Sequence, residues 1–265
     1  MDDNNVFKTL LSGSFNQDWV SVNWCASRRD LPATLTNRID AFWQKQIIAA
    51  QKDGFIFNGD LCRLNFWHVQ ENRVVLGLGL TSYKELLHSN HCADELETAF
   101  GNEFLARALG ISVVLVSADD QIILIRRSDK VGEFPNRTDL IGGHIHPREH
   151  AVSGVPDPFL AIIDEITEEL NLEIGSAERL DCIGLIETTA TRKPELVFEL
   201  RSERQKSDIL KTASRHRCPE IAEIFTVVNE AHALRNFLTT RRDEMSPSAY
   251  GGLCLYSLHL EGQHS

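Results

Sequence analysis

The segment Asp157–Leu172, DPFLAIIDEITEELNL, constrains the fold of this chain more than any other stretch. Asp157 is a favoured helix N-cap residue and Pro158 is favoured in the first helical position, so a helix is predicted to begin here. Apolar residues with helical spacing then form one face of that helix, namely Phe159, Ile162, Ile163, Ile166 and Leu170. A helix with one strongly apolar face must pack against a larger hydrophobic core.

A second face of the same helix carries three glutamates. Glu165, Glu168 and Glu169 are spaced i, i+3 and i+4, so a helix holds their carboxylates together on one partly exposed face. Like charges repel unless a cation neutralises them, and clustered oxygen ligands suit Mg²⁺ or Mn²⁺. Taken alone, this short pattern is also typical of a solvated acidic face in an acidic protein.

The composition is that of an ordinary globular protein, with 265 residues of which 42% are apolar and 25% charged. Lys and Arg number 27 against 38 Asp and Glu, which gives a net charge of −11. This acidic balance argues against sequence-independent binding to nucleic acid or to an anionic membrane. An anionic substrate would therefore need a local basic pocket or a metal ion.

The cysteines and the first residues predict a soluble, cytoplasmic protein. The six cysteines are spread along the chain without a C-x-x-C pair, so we expect them to be reduced; their even number leaves a disulfide-bonded protein as the alternative. The first residues, MDDNNVFKTLL, lack the basic region and long apolar run of a signal peptide. The longest apolar stretches, Ile111–Val116 and Ile122–Ile125, are too short to cross a bilayer.

The spacing of apolar residues divides the chain into two halves. In the first half, a helix is predicted over Leu35–Gln51, and helix-like spacing returns over Cys92–Leu109. Between them the period changes to two, which predicts strands at Phe55–Asn58, Leu61–Gln70 and Arg73–Leu80. With a soft boundary near Gly110, residues 1–109 are predicted to form a smaller α+β domain and residues 110–265 a second domain.

The second half mixes strands and helices without strict alternation. A buried hairpin is predicted from Ile111–Ser117 and Gln121–Arg127. After the glutamate helix, the predicted elements are strands at Cys182–Thr189, Leu196–Arg201 and Glu220–Val228, and helices at Asp208–Ser214 and Glu230–Arg241. This order predicts an α/β (α+β) fold, either a mixed arrangement or a three-layer α/β/α sandwich.

Residues upstream of the glutamate helix complete a longer motif. Gly142 and Gly143 follow a strand-like stretch, and Glu149 lies six residues after Gly143. From Glu165 the helix has the pattern E-U-x-E-E-x-N-U, where U is a bulky aliphatic residue. The combined motif resembles the Nudix box, G-x5-E-x7-R-E-U-x-E-E-x-G-U, the signature of a superfamily that hydrolyses nucleoside diphosphates linked to another group.

The match to the Nudix box has three departures. Asp164 occupies the position of the family's Arg, which helps to orient the glutamates there, so another base would have to replace it. Asn171 occupies the position of the family's Gly, a mild change because Asn also adopts the left-handed conformation that ends a helix. Extra residues in the His150–Pro156 region lengthen the spacing from Gly143 to Glu165 by seven, in a loop where added length costs little.

Further motifs make the resemblance more specific, namely Gly77–Leu87 (GLGLTSYKELL), Ala118–Asp120 (ADD), Arg126–Ser128 (RRS) and Gly142–Pro147 (GGHIHP). Over roughly Phe57 to Glu230 the chain is similar to the eukaryotic UDP-glucose pyrophosphatase branch of Nudix proteins. That resemblance implies a Nudix α/β/α sandwich preceded by a smaller N-terminal domain that contributes to the substrate cleft. It also implies Mg²⁺-dependent hydrolysis of UDP-glucose, or a related UDP-sugar, to UMP and sugar 1-phosphate.

The resemblance implies roles for individual residues. The implied metal site consists of Gly143, Glu165, Glu168 and Glu169, with Glu168 as either a third carboxylate ligand or the group that orients the attacking water. Implied substrate-binding residues are Thr81, Ser82, Tyr83, His144, Arg126 and Arg127. Alternation along a strand sends only one of the two arginines to the pocket side.

Other functions are compatible with the same residues. The substrate can be another nucleoside diphosphate derivative, such as an ADP-sugar or a dinucleotide. The chain can also be a catalytically silent Nudix domain used for binding or regulation, because Asp164 and the longer spacing weaken the motif. Zinc at the clusters His144–His150 or His88–Cys92 is disfavoured, since neither has a second ligand pair at a recognisable spacing. The predicted partner is a small-molecule nucleotide sugar, and the oligomeric state is left open.

Overall fold

The computed structural model describes residues 3, 5–50, 56–175, 178–216 and 218–263. Its α-helices are α1 (Ala33–Ala50), α2 (Tyr83–His91), α3 (Ala93–Phe100), α4 (Pro158–Leu170), α5 (Lys206–Arg215), α6 (Ala231–Arg241) and α7 (Pro247–Gln263). Its strands are β1 (Phe7–Phe15), β2 (Val20–Arg28), β3 (Asp60–Gln70), β4 (Arg73–Ser82), β5 (Gly110–Val116), β6 (Gln121–Arg127), β7 (Thr138–Asp139), β8 (Ile141–His144), β9 (Ala151–Val152), β10 (Val155–Pro156), β11 (Arg179–Thr188), β12 (Pro194–Arg201) and β13 (Ile221–Val228). Among these described helices, none combines the length and the apolarity needed to span a bilayer.

An eight-stranded mixed sheet forms the centre of the molecule. Its main path runs β1-β11-β12-β5-β6-β13, with β8 paired to β5 and β7 paired to β6. Strands β12 and β5 are parallel, and the other pairs are antiparallel. β5 pairs with β6 only at Leu115 and Val116, while its first half pairs with β8. This division of β5 between two partners places the Gly142-Gly143 strand within the large sheet.

Alternating apolar residues on the central strands build a hydrophobic core on each face of this sheet. On β5, Val113 lies in the core that includes Ile166 of α4, whereas Val114 lies in the core that includes Leu253 of α7. Helices therefore cover both faces. The predicted α/β fold is confirmed, in the form of a three-layer α/β/α sandwich.

A separate three-stranded sheet, β2-β4-β3, is built from the first half of the chain. Strands β3 and β4 are antiparallel and meet at a turn in which Glu71 and Asn72 both have positive φ, 50° and 64°. Leu64, Leu76 and Leu78 of this sheet belong to the same core as the α4 face of the large sheet. The two sheets thus share one continuous core.

Two predicted elements of the first half differ from the structure. The strand predicted at Phe55–Asn58 is wrong for residues 56–58, which have no regular structure, and Phe55 lies outside the described residues. The helix-like spacing over Cys92–Leu109 gives only α3, because Gly101 ends the helix with φ 106°. The remaining residues up to 109 form a short 3₁₀ turn and irregular structure.

The first strand joins the two halves of the chain. β1 pairs with β11 at the edge of the large sheet, so residues 7–15 belong structurally to the second half. The division of the chain at residues 109 and 110 stays a prediction.

Candidate active site

Helix α4 holds the glutamates in a fixed orientation because both of its ends are capped. At its start, Asp157 Oδ1 accepts hydrogen bonds from the backbone N–H groups of Phe159 (2.8 Å) and Leu160 (3.3 Å). At its end, Asn171 adopts the left-handed conformation with φ 55°, which Asn tolerates better than most residues. Both predicted helix ends are confirmed.

Glu165 and Glu169 lie against strand β8. The backbone N–H of Gly142 donates to Glu169 Oε2 at 3.3 Å, and that of His144 donates to the Glu165 carboxylate. A Cβ at Gly143 would overlap the Glu165 carboxylate where it now lies, so the glycine leaves room for this carboxylate against the strand. Glu169 is 6% exposed, so the prediction of a partly exposed acidic face is wrong at this position. The helix carries this carboxylate into the interior, against the sheet.

Burial and mutual repulsion make both carboxyl groups hard to ionise. Burial, followed by the charge of Glu168, raises the pKa of Glu165 to about 8. Burial, followed by the charge of Glu165, raises the pKa of Glu169 well above its ordinary value, and Arg127 opposes this shift without cancelling it. The pair therefore lacks the positive charge that two adjacent carboxylates need.

Two further carboxylates contribute charge from the solvent side. Glu168 is exposed, and its charge acts on Glu165. Glu220, directly before β13, is also exposed, and its charge acts on both Glu165 and Glu169. His216 Nε2 forms a hydrogen bond of 2.7 Å with the Glu168 carbonyl, which links the segment before β13 to α4. The site therefore consists of a buried pair of carboxyl groups flanked by an exposed pair.

The structure brings together part of the predicted metal site. Glu165 and Glu169 meet at Gly143, whereas Glu168 is exposed. Within the described residues, no group of three or more His, Cys, Asp or Glu side chains has the arrangement to hold a metal ion. The donor chemistry of the buried pair nevertheless fits a hard divalent cation, because two carboxyl groups with raised pKa values lie together against a closely approaching backbone.

The two predicted arginines lie on opposite faces of β6. Arg127 pairs with Asp139 at 3.2 Å between Nη1 and Oδ2, and its charge acts on Glu169. Arg126 pairs instead with Glu223 of β13, at 3.3 Å between Nε and Oε2. Strand alternation explains the difference, and it leaves Arg127 as the arginine on the side of the glutamates.

His144 lies beside the glutamates in a buried environment. Burial, followed by the charge of Lys193, lowers the pKa of His144 to about 3, so its ring is neutral. Its Nε2 atom is buried and has no hydrogen-bond partner among the described residues. A neutral imidazole with an unused nitrogen can contribute a hydrogen bond to a ligand without adding charge.

The three predicted binding residues at the start of α2 have different surroundings. Thr81 and Ser82 are buried at 0% and 2% exposure, and their hydroxyls donate to Glu85 at 3.3 Å and 2.9 Å. Both hydroxyls therefore serve an internal network. Tyr83 packs edge-on against Trp43, and its hydroxyl lies next to Gly132 in the loop before β7, within reach of the charge of Glu133.

Two curated relatives align with this chain over most of its length. The chain is 28% identical to the uridine diphosphate glucose pyrophosphatase NUDT22 of Mus musculus, over 93% of this chain and 88% of that protein. It is 25% identical to Nudix hydrolase 9 of Arabidopsis thaliana, over 96% of this chain and 91% of that protein. Over most of its length the chain is therefore similar in sequence to members of the Nudix hydrolase superfamily.

Other comparisons add less to this similarity. The Nudix domain of Shewanella oneidensis NrtR, crystallised with ADP-ribose, is similar with a TM-score of 0.42 and 13% identity, over 63% of this chain and 97% of that domain. This TM-score is too low to carry weight, and the similarity rests on the sequence relatives. No family model matches the chain.

The structure places a histidine beside Asp164, the residue that departs from the Arg of the Nudix box. His150, in the residues that lengthen the box, faces Asp164 at 3.8 Å between Nε2 and Oδ2. The backbone N–H of His146 donates to His150 Nδ1 at 3.0 Å, so Nε2 carries the proton of the neutral ring and directs it at Asp164. Asp164 lies on α4, and His150 lies directly before β9.

Several polar residues in the network around Arg127 and Glu133 were not predicted from the sequence. They are Asn90, Glu133, Asp139, Lys193 and Glu220, which come from separate parts of the chain. None stands in a recognisable motif, and none is near Glu165 in sequence. Only the pairing of β5, β6 and β8 with their neighbours brings them together.

Proposed function

We propose that this Nudix protein hydrolyses the pyrophosphate of a UDP-sugar, with UDP-glucose as the first candidate, to UMP and a sugar 1-phosphate. The observation that carries the proposal is the pair of Glu165 and Glu169 at Gly142-Gly143, which needs more positive charge than Arg127 supplies. The names of the curated relatives, uridine diphosphate glucose pyrophosphatases, support the choice of substrate.

The proposed cofactor is Mg²⁺, with Mn²⁺ as a substitute. Glu165 and Glu169 would hold the ion, with the backbone of Gly143 beside it and Glu168 as a further source of negative charge. Such an ion neutralises phosphate charge and lowers the pKa of water, which is the chemistry that cleavage of a pyrophosphate requires. Because Glu165 has a pKa of about 8 in the ion-free protein, binding of the ion is accompanied by loss of a proton near neutral pH.

The chain's own residues supply the remaining chemistry. Water attacks one phosphorus, the bond from that phosphorus to the bridging oxygen breaks, and the water's proton passes to a base. Glu168 is exposed beside Glu165 and is the proposed acceptor of this proton if it does not bind the ion. Arg127 stays charged because Asp139 and Glu133 outweigh the effect of its burial, so it can neutralise charge on a phosphate.

The test is product analysis after incubation of the purified protein with UDP-glucose, with and without Mg²⁺. ADP-ribose and a dinucleoside polyphosphate are tested in parallel. Formation of UMP and glucose 1-phosphate only with Mg²⁺ is the expected result. Cleavage of another compound while UDP-glucose stays intact would keep the hydrolase assignment and overturn the substrate.

A second candidate is a binding or regulatory Nudix domain without turnover. It is favoured by Asp164 at the position of the box Arg and by the solvent exposure of Glu168. This candidate predicts that UDP-glucose binds, as measured by calorimetry, and is recovered intact in the presence of Mg²⁺.

A further inference from the structure

A buried polar cluster around Glu133 is linked to the glutamates through Arg127, whose charge acts on Glu169, and through His144, whose backbone N–H donates to Glu165. The proposed reaction does not use Glu133 itself. Glu133 stands in the loop between β6 and β7, and its side chain is 11% exposed. Asn90 Nδ2 donates to Glu133 Oε1 at 2.7 Å, and Lys193 Nζ lies 3.7 Å from the same oxygen. His144 Nε2 lies 3.7 Å from Glu133 Oε2, and Arg127 Nε donates to the Glu133 carbonyl at 3.0 Å.

The Glu133 carboxylate only partly satisfies these groups. It accepts one hydrogen bond, from Asn90, while the two contacts of 3.7 Å exceed hydrogen-bond length. His144 Nε2 is buried without a hydrogen-bond partner among the described residues. Lys193 Nζ also lies 3.5 Å from Glu195 Oε2. Buried polar atoms without partners are rare in folded proteins, and they commonly mark the place of a water or a ligand.

The chemistry of the surrounding groups matches an anion larger than a carboxylate. Lys193 and Arg127 are mostly buried, with side chains 10% and 17% exposed. Burial opposes the charge of Lys193, but Glu133 and Glu195 outweigh it and raise the pKa of Lys193. The Lys193 ammonium, the Asn90 amide and the His144 imidazole surround the Glu133 carboxylate, and the Arg127 guanidinium is held nearby by the Glu133 carbonyl and Asp139. Donors of these kinds bind phosphate groups in proteins.

We propose that Asn90, Arg127, His144 and Lys193 form a phosphate-binding pocket in which the Glu133 carboxylate takes the place of the ligand when no substrate is bound. The ligand class is a phosphate group, and its identification with one phosphate of the nucleotide sugar rests on the proposed function. A phosphoryl group has more terminal oxygens than a carboxylate, so it can reach donors that Glu133 leaves unpaired. Glu133 would then move into solvent with its loop.

Calorimetric titration with inorganic phosphate in EDTA-containing buffer tests the pocket without metal ion or nucleotide. Glu133→Gln keeps the acceptor for Asn90 but removes the competing charge, so its phosphate affinity should rise at least about fivefold over wild type. Lys193→Gln added to that variant should lower phosphate affinity at least about tenfold, because the charged donor is lost. Glu223→Gln, on the opposite face of the sheet beside Arg126, is the matched control and should bind as wild type does.

Two results would overturn the proposed pocket. One is a folded Glu133→Gln protein that binds phosphate no more tightly than wild type. The other is a folded protein with both Glu133→Gln and Lys193→Gln that binds phosphate as tightly as Glu133→Gln alone. Circular dichroism and thermal melting establish that each variant is folded. If Lys193→Gln does not fold, Asn90→Ala in the Glu133→Gln background takes its place, with an expected loss of at least about threefold.

This titration separates the pocket from the proposed function. Tighter phosphate binding by Glu133→Gln without hydrolysis of UDP-glucose by wild type would leave the pocket standing and overturn the substrate. Hydrolysis of UDP-glucose by wild type, without tighter phosphate binding by Glu133→Gln, would overturn the pocket and leave the proposed function standing.

Discussion

Two carboxyl groups that both resist ionisation, Glu165 and Glu169, determine the chemistry of the site at the scale of single residues. Their burial against β8 would destabilise the protein if both were charged without a counter-ion. The backbone N–H groups of Gly142 and His144 offset part of this cost by hydrogen bonding. A cation is the remaining means of neutralising them, and this makes the protein's stability depend on pH and metal together.

The first prediction concerns Glu165 in metal-free buffer. Its pKa is about 8 in the folded protein against 4.5 ordinarily, so the folded state retains a proton that the unfolded chain releases. Stability should therefore fall as pH rises from about 4.5 to about 8. Glu165→Gln removes this loss, so its Tm should match wild type near pH 4 and exceed it by at least about 2 °C at pH 8.

Thermal melts at several pH values in EDTA check this prediction. Glu173→Gln, an exposed glutamate just beyond α4, is the control and should follow wild type at every pH. A difference in Tm between Glu165→Gln and wild type that stays constant with pH would contradict the account.

Residues close in sequence were predictable, and residues brought together by the sheet were not. The cap at Asp157, the left-handed Asn171 and the side-by-side Glu165 and Glu169 all follow from the spacing along one helix. Glu133 and Lys193 approach each other across 60 residues of chain, so no local pattern indicates them. The roles of the sequence-predicted binding residues stay predictions.

At the scale of elements, α4 and the hairpin β9–β10 form one unit. Asp157 links them, because Oδ1 caps α4 while Oδ2 accepts a hydrogen bond from Gln17 Nε2 at 3.0 Å. The backbone N–H of Asp157 also donates to the carbonyl of His150 at 2.7 Å. The residues that lengthen the Nudix box are thus anchored directly to the helix that carries the glutamates.

The second prediction is that Asp157→Ala destabilises the protein by about 1 kcal/mol, the usual cost of losing an N-cap. This corresponds to a Tm lower by about 2–4 °C for a chain of this size. Asp157→Asn keeps an acceptor oxygen and should retain most of the stability. Differential scanning calorimetry of the three proteins checks the ranking, and equal Tm values for the Ala and Asn variants would contradict it.

Element prediction from sequence failed where an element depends on distant partners. Helix α7 contains Gly251 and Gly252, which disfavour a helix in isolation. Both glycines are buried, and a Cβ at Gly251 would crowd Phe7 and Ile186. Close packing against the sheet therefore outweighs local helix propensity, and a single sequence does not reveal that contact.

At the scale of the whole molecule, strand β1 connects the beginning of the chain to its end. Phe7 is 1% exposed and packs edge-on against Tyr250 of α7, with ring centroids 6.0 Å apart. The core beneath α4 also contains residues of both sheets. We therefore expect the chain to unfold cooperatively, although the sequence predicts two domains.

The third prediction uses Phe7→Ala, which should cost about 3–5 kcal/mol because it leaves a cavity between β1 and α7. All four tryptophans lie within the first 67 residues, so their fluorescence reports on the first half of the chain. In urea, the fluorescence and circular dichroism transitions should coincide and should shift together in the variant. A fluorescence transition that does not move would instead support independent domains.

The rate of UMP formation from UDP-glucose with Mg²⁺, compared between wild type and Glu169→Gln, tests the central claim most directly. Gln keeps an acceptor for the Gly142 N–H but cannot carry negative charge, so the variant should remain folded, with a Tm no lower than wild type. Its turnover should fall by roughly 100-fold or more, while Glu223→Gln keeps wild-type turnover. A folded Glu169→Gln protein that hydrolyses UDP-glucose at the wild-type rate would contradict the assignment of the buried carboxyl pair as the reaction centre.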